Sequence, residues 1–139
     1  MSTISKENGL GWTTLGVADA SGTVQDIRND ITNLGISTPR AVQEVTGIDK
    51  SAIERLLLLA DASIDLNGIF NPSSTGSHEV FSTVPSTSVN RAVNITVNGK
   101  NLNFTGILFT NYDLTRTATG ELTWKVPGVL ADGAVPTWS

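Results

Sequence analysis

Hydrophobic and polar positions alternate through much of the second half of the chain. Val89, Arg91, Val93, Ile95 and Val97 alternate with Asn90, Ala92, Asn94, Thr96 and Asn98, the period of a strand with one buried face. Asn98-Gly99 follows and supplies the pair of positive φ angles that a type I′ turn requires. A hairpin is therefore predicted, with Leu102, Phe104, Ile107 and Phe109 on its return strand. The alternation changes phase at Gly106, which predicts a bulge there. A second hairpin pairs Tyr112–Thr115 with Glu121–Val126 and turns at Ala118-Thr119-Gly120. It sends Leu122, Trp124 and Val126 inward, and Glu121, Thr123 and Lys125 outward.

The first half carries a different signal. The stretch VTGIDKSAIERLLLLADASIDLNGIF, residues 45–70, reads as one capped helix feeding a strand. Asp49 is a suitable N-cap, since its carboxylate can accept from the free amides of a first turn. Ile48 and Ile53 are spaced as a hydrophobic staple. Ile53, Leu56, Leu57 and Ala60 follow the spacing of one buried helical face. At about 100° per residue, Leu58 and Leu59 project off that stripe. Either a flanking loop or a neighbouring subunit covers them, and the second reading makes them candidate subunit-interface residues. The strand that follows runs from Ser63 to Phe70, with Ile64, Leu66 and Gly68 alternating with Asp65, Asn67 and Ile69.

Three further segments complete the pattern. Thr38–Thr46 is predicted as a strand with Arg40, Val42 and Glu44 on one side, and Pro39 places it at an edge or bulge. Ser77–Val84 is predicted as a short second helix with Val80, Phe81 and Val84 inward, closed by Pro85. Residues 24–37 fit helix and strand equally, through Ile27, Ile31, Leu34 and Ile36. Residues 1–23 are rich in Gly, Ser and Thr and are set apart as an N-terminal arm, leaving residues 24–139 as one domain. The arm is either a loose terminus or a segment that orders on a neighbouring subunit through Trp12.

Composition narrows the function. A chain of 139 residues suits one domain and buries enough surface to fold without metal or disulfide. It has no cysteine, so no thiol nucleophile and no Cys-based metal site exist. The N-terminus lacks the apolar core of a signal peptide, and no run of about 18 apolar residues predicts a membrane span. The formal charge is −4, with acidic and basic residues scattered along the chain. No basic stripe is present to grip phosphates.

Catalytic patterns are absent. His78 is the only histidine and stands beside Ser77 and Glu79, which point in other directions. No nucleophile elbow, phosphate-cradling glycine loop or zinc spacing occurs. Asp61 and Asp65 lie near the expected helix-to-strand junction, with no cleft to make them an acid–base pair. Asp132-Gly133 is a turn without the alternating oxygen ligands of a calcium loop. An enzyme is not expected, and neither a cofactor nor a metal is predicted.

The order of these segments resembles the major tail proteins, or tail tube proteins, of long non-contractile-tailed bacteriophages. VTGIDKSAIERLLLLAD, SHEVFSTVPST and GELTWKVPGVL carry most of the resemblance, which extends from about Asp26 to Trp138. It implies a mostly β fold with one main α-helix, a β-sandwich or barrel whose inner sheets join into a ring barrel in the oligomer. It implies hexameric rings stacked into a tube, the conduit for genome delivery. It further implies a tape measure protein and tail end-capping proteins as partners, phage DNA passing through the lumen without specific binding, and no membrane. The implied location is the virion tail, assembled in the bacterial host cytoplasm. Trp12, Leu58 and Leu59 become the expected subunit interface. The polar sets of the strands, Asp65 with Asn67, Asn90 with Asn94, and Glu121 with Thr123, become lumen-facing candidates, because a channel for a polyanion favours acidic or neutral walls. The competing reading is a β-sandwich binding module for capsid decoration or carbohydrate, for which Trp12, Tyr112, Trp124 and Trp138 are the available aromatics.

Overall fold

In the computed structural model, residues 10–139 are described; residues 1–9 of the expected arm lie outside the described residues. The strands are β1 (Trp12–Ala18), β2 (Val24–Asp26), β3 (Ile31–Ser37), β4 (Arg40–Glu44), β5 (Arg55–Ala60), β6 (Ser63–Ile69), β7 (Arg91–Val97), β8 (Lys100–Phe109), β9 (Asp113–Arg116), β10 (Leu122–Leu130) and β11 (Thr137–Trp138). One short helix, α1 (Ser77–Phe81), separates β6 from β7. The mostly β class expected from the sequence is the class observed.

A nine-stranded antiparallel sheet runs in the order β2-β1-β7-β8-β10-β6-β3, with β11 paired to β8 and β9 paired to β10. Its first and last strands, β2 and β3, are joined in the chain by residues 27–30 alone. A few residues span little distance, so the sheet must roll until its ends approach each other. The Ile27 amide donates to the Leu15 carbonyl at 3.0 Å, and Arg28 Nη1 donates to the Trp12 and Thr13 carbonyls at 3.0 and 2.7 Å. These bonds fix the seam. The roll encloses Leu15 and Val17 of β1, Ile64 and Leu66 of β6, Val93 and Ile95 of β7, the four expected residues of β8, and Trp124 and Val126 of β10. Residues 12–18, placed in the arm by the sequence reading, thus form β1 between β2 and β7.

Both hairpins read from alternation are present. Val97 pairs with Lys100 across Asn98-Gly99, whose φ angles are 50° and 77°, both in the left-handed region that this turn demands. Arg91 faces Ile107 while Val93 faces Phe104, so β8 carries the extra residue around Gly106. The second hairpin pairs β9 with β10. Since β8 and β9 both pair with the same edge of β10, they form one interrupted strand beside it. The predicted alternation in β6 also holds: Ile64, Leu66 and Gly68 are buried.

The main α-helix is a correction. Residues 55–60 form β5, which pairs antiparallel with β4 in a separate two-stranded sheet. Residues 45–54 make the hairpin tip, closed by the Val45 amide on the Glu54 carbonyl at 3.0 Å and by Thr46 Oγ1, which accepts from the Glu54 amide at 3.0 Å. Asp49 therefore caps no helix. A run of four leucines fits a helix by propensity, but a helix this short is marginal unless a partner covers its apolar face. Here the expected Thr38–Thr46 strand supplies backbone partners instead, and pairing overrides propensity.

The expected second helix is present as α1, with Val80 and Phe81 fully buried and Val84 packed against the core. Buried charges hold its surroundings. Asp30 accepts from Asn71 Nδ2 at 2.9 and 3.1 Å and from the Ser77 amide at 3.0 Å. Arg91, on the core side of β7, donates to the Val80 carbonyl and, at 2.9 Å, to Thr83 Oγ1. Burial pulls the Arg91 guanidinium below its ordinary pKa, and the Asp19 carboxylate opposes that shift.

Gly68 permits the corner where these pieces meet. A Cβ there would stand 2.1 Å from the Asp30 carbonyl oxygen and 2.5 Å from Trp124 Cζ2. Neither backbone nor a locked indole can yield cheaply, so Gly68→Ala is expected to cost about 2–3 kcal/mol by overpacking. An unchanged urea midpoint would show that the corner is looser than its contacts imply.

Candidate functional site

Two surfaces remain once the core is filled. The first is the outward face of β3, β6, β10 and β9. The register sets its rows. Asn33 stands opposite Asn67, Asn67 opposite Lys125, and Lys125 opposite Asp113. The next row brings Gly35, Asp65 and Pro127 together, and another brings Ile69, Thr123 and Thr115 together. Alternation explains this face, because the neighbours Leu66, Trp124 and Val126 turn into the core. Among the described residues, the charges in these rows are Asp65, Asp113 and Lys125.

The lumen candidates divide accordingly. Asp65, Asn67 and Thr123 share this face. Asn94 lies on the outward face of β7, opposite Asn103 and Gly16. Asn90 and Glu121 are exposed and precede β7 and β10. Hydrogen bonding from Thr119 holds the Glu121 carboxyl below its usual pKa. Sequence reasoning left out Asn33 and Asp113. The hairpin turn at Gly120 was the available signal for Asp113, since counting back across it sets Asp113 against Lys125. The arginines stand elsewhere: Arg91 in the core, Arg28 at the seam, Arg40 and Arg55 on the small hairpin, and Arg116 on the opposite side of β9 from Asp113 and Thr115.

The edges of this part of the sheet matter as much as its face. Among the described residues, no strand pairs with β3 on the side away from β6, and none with β9 on the side away from β10. The other half of the sheet ends in β2 and β11, of 3 and 2 residues. Short edge strands are protected, whereas longer ones offer unpaired N–H and C=O groups.

The second surface is the β4–β5 hairpin. All of β4 is exposed, as is β5 apart from Ala60. Val42, Leu56 and Leu57 are each more than half exposed, Leu58 is 39% exposed and Leu59 is 92% exposed. The register moves from Arg40 opposite Ala60 to Val42 opposite Leu57, so Leu58 and Leu59 occupy a β-bulge. Arg40 Nε and Nη2 both donate to the Leu58 carbonyl, at 3.1 and 2.9 Å, and satisfy the acceptor at the interrupted ladder. The bulge re-aims both leucines. Together with Val135 they line a shallow apolar hollow. Trp12, the third expected interface residue, is half-buried beside the seam.

His78 belongs to neither surface. Its Nδ1 hydrogen-bonds the Tyr112 hydroxyl at 3.2 Å, and its ring lies 4.7 Å from that of Phe70. Burial raises the Tyr112 pKa. Trp124 completes the cluster, 5.1 Å from Phe81 by ring centroid, with Nε1 donating to the Ile69 carbonyl at 2.9 Å.

No protein-family model matches the chain, and no curated relative matches it by sequence. Solved structures do match. The chain resembles one in the tail of an empty gene transfer agent particle, determined by helical refinement with C6 symmetry, at TM-score 0.70 and 19% identity over 96% of this chain and 99% of that one. It also resembles a chain in the virion of a native gene transfer agent particle, at TM-score 0.73 and 16% identity over 96% and 99%. The shared fold agrees with the tail-tube resemblance of the sequence.

Proposed function

We propose that the chain is a virion structural protein that self-assembles into stacked hexameric rings, forming the tail tube through which a genome is delivered. The observation that carries this reading is the pair of open edges, β3 and β9, at opposite ends of one polar-faced half of the sheet. An edge at each end favours a head-to-tail contact, and a head-to-tail contact that closes makes a ring. Pairing β3 of one copy with β9 of the next removes both edges and continues the inner sheet into a barrel. The C6 symmetry of the gene transfer agent tail that shares this fold supports a six-fold ring.

In this reading the face bearing Asp65, Asn67 and Thr123 lines the lumen, and duplex DNA passes it without specific binding. Leu58, Leu59 and Trp12 contact other subunits, with the small hairpin reaching beyond its own rolled sheet. The partners are further copies of the chain, a tape measure protein inside the tube and end-capping proteins at its termini. The location is the virion tail, after assembly in the host cytoplasm.

Negative-stain microscopy of the purified protein tests the reading. Rings or tubes are expected; monodisperse single subunits at all concentrations would reject it. The free subunit is also expected to bind duplex DNA negligibly at moderate salt, and tight, salt-sensitive binding would reject the proposed lumen.

A further inference from the structure

Among the described residues, the face assigned to the lumen carries one cation, Lys125, and the strand register sets acid beside it. Lys125 stands directly opposite Asp113 across the β9–β10 ladder. It lies diagonal to Asp65, which is opposite Pro127 on β10, two residues further along. All three side chains are exposed. Directly opposed residues place their Cβ atoms about 4.5–5.5 Å apart and diagonal ones about 7–8 Å, within a physiological screening length of about 8 Å. No closed ion pair joins Lys125 to either acid, so they act on it through their field.

Resting on the tube reading, we infer that Asp113 is a specificity-determining residue of the channel: it offsets the Lys125 charge, so that the wall repels a passing polyanion. Lysine is a compact charge on a flexible stem, and six-fold repetition would present it as a ring facing the phosphates, renewed at every layer of the tube. Each phosphate neutralised strengthens the hold on DNA. With Asp113 directly opposite and Asp65 diagonal, acid outnumbers base on this face, while Asn33, Asn67, Thr115 and Thr123 add no charge. The lysine has its own use for the sheet, since it stands between two carboxylates that would otherwise repel each other.

The test compares assembled tubes of the wild type, Asp113→Asn, Lys125→Gln and the double variant, each co-sedimented with a short linear DNA duplex across a salt series. Wild-type tubes are expected to retain almost no DNA. Asp113→Asn tubes are expected to retain at least about tenfold more at low salt, falling steeply as salt rises. Lys125→Gln and the double variant are expected to return to the wild-type level. Asp113→Asn tubes that retain no more DNA than wild type would overturn the inference, as would a double variant that retains as much as Asp113→Asn. Failure of Asp113→Asn alone to form tubes would also overturn it, by making the residue an assembly contact. Failure of the wild type to form rings or tubes would instead reject the tube reading.

Discussion

Replacing Leu58 and Leu59 together by serine is expected to abolish assembly and leave the subunit folded. The small hairpin stands apart from the nine-stranded sheet, and Leu59 is 92% exposed. Removing these side chains therefore leaves no cavity in the core. An isolated two-stranded hairpin is marginal in water, and one this apolar gains stability when another copy covers it. Burying a leucine side chain is worth about 1.5–3 kcal/mol; Leu59 has nearly all of that to gain and Leu58, 39% exposed, less than half, so the pair contributes about 2–4 kcal/mol to each contact. Losing it lowers the association constant roughly 30- to 1,000-fold. Circular dichroism and size-exclusion chromatography with negative stain read the two halves of the result. A double variant that unfolds by circular dichroism would place the leucines in the subunit's own stability instead; tubes of normal length would place them outside the interface.

Trp124→Ala is expected to be the most damaging single core substitution. The indole is 2% exposed, contacts Phe81 and Tyr112, and bonds the Ile69 carbonyl. Truncation creates a cavity and leaves that carbonyl with only the longer bond from Ser77 Oγ, at 3.4 Å. The loss is about 3–5 kcal/mol, and at roughly 2–4 °C per kcal/mol for a domain of this size it lowers Tm by about 6–20 °C. Trp138, 59% exposed in β11, provides the contrast: Trp138→Ala is expected to change stability by less than about 0.5 kcal/mol. Similar losses for both would mean that the ring cluster around Trp124 contributes little beyond area.

These two outcomes separate what assembly needs from what folding needs, and the sequence separated them only in part. The four leucines announced an excess of apolar surface, and that excess is present. Their helical spacing did not survive, because spacing of i, i+3 and i+4 says nothing about which backbone partners are near. The β4 strand supplied them, and the exposed residues now line a hairpin and its bulge.

Local chemistry by itself determined the elements whose causes lie within a few residues. Asn98-Gly99 forced its turn, the change of phase at Gly106 located a bulge, and alternation in β6 and β10 chose the buried side. Ser77–Phe81 became helical before Pro85, with Val80 and Phe81 inward. Tertiary structure alone decided the rest. It drew Trp12–Ala18 into the sheet, because Leu15 and Val17 find apolar cover only beside β7. It gave Arg91, which alternation already placed on the inward side, the Val80 carbonyl and Thr83 hydroxyl as partners. It brought Asn33 and Asn67 into one row with the Lys125–Asp113 pair that the turn at Gly120 sets. Hydrogen-bond register creates such a row between segments far apart in the chain, and no periodicity within a segment can encode it.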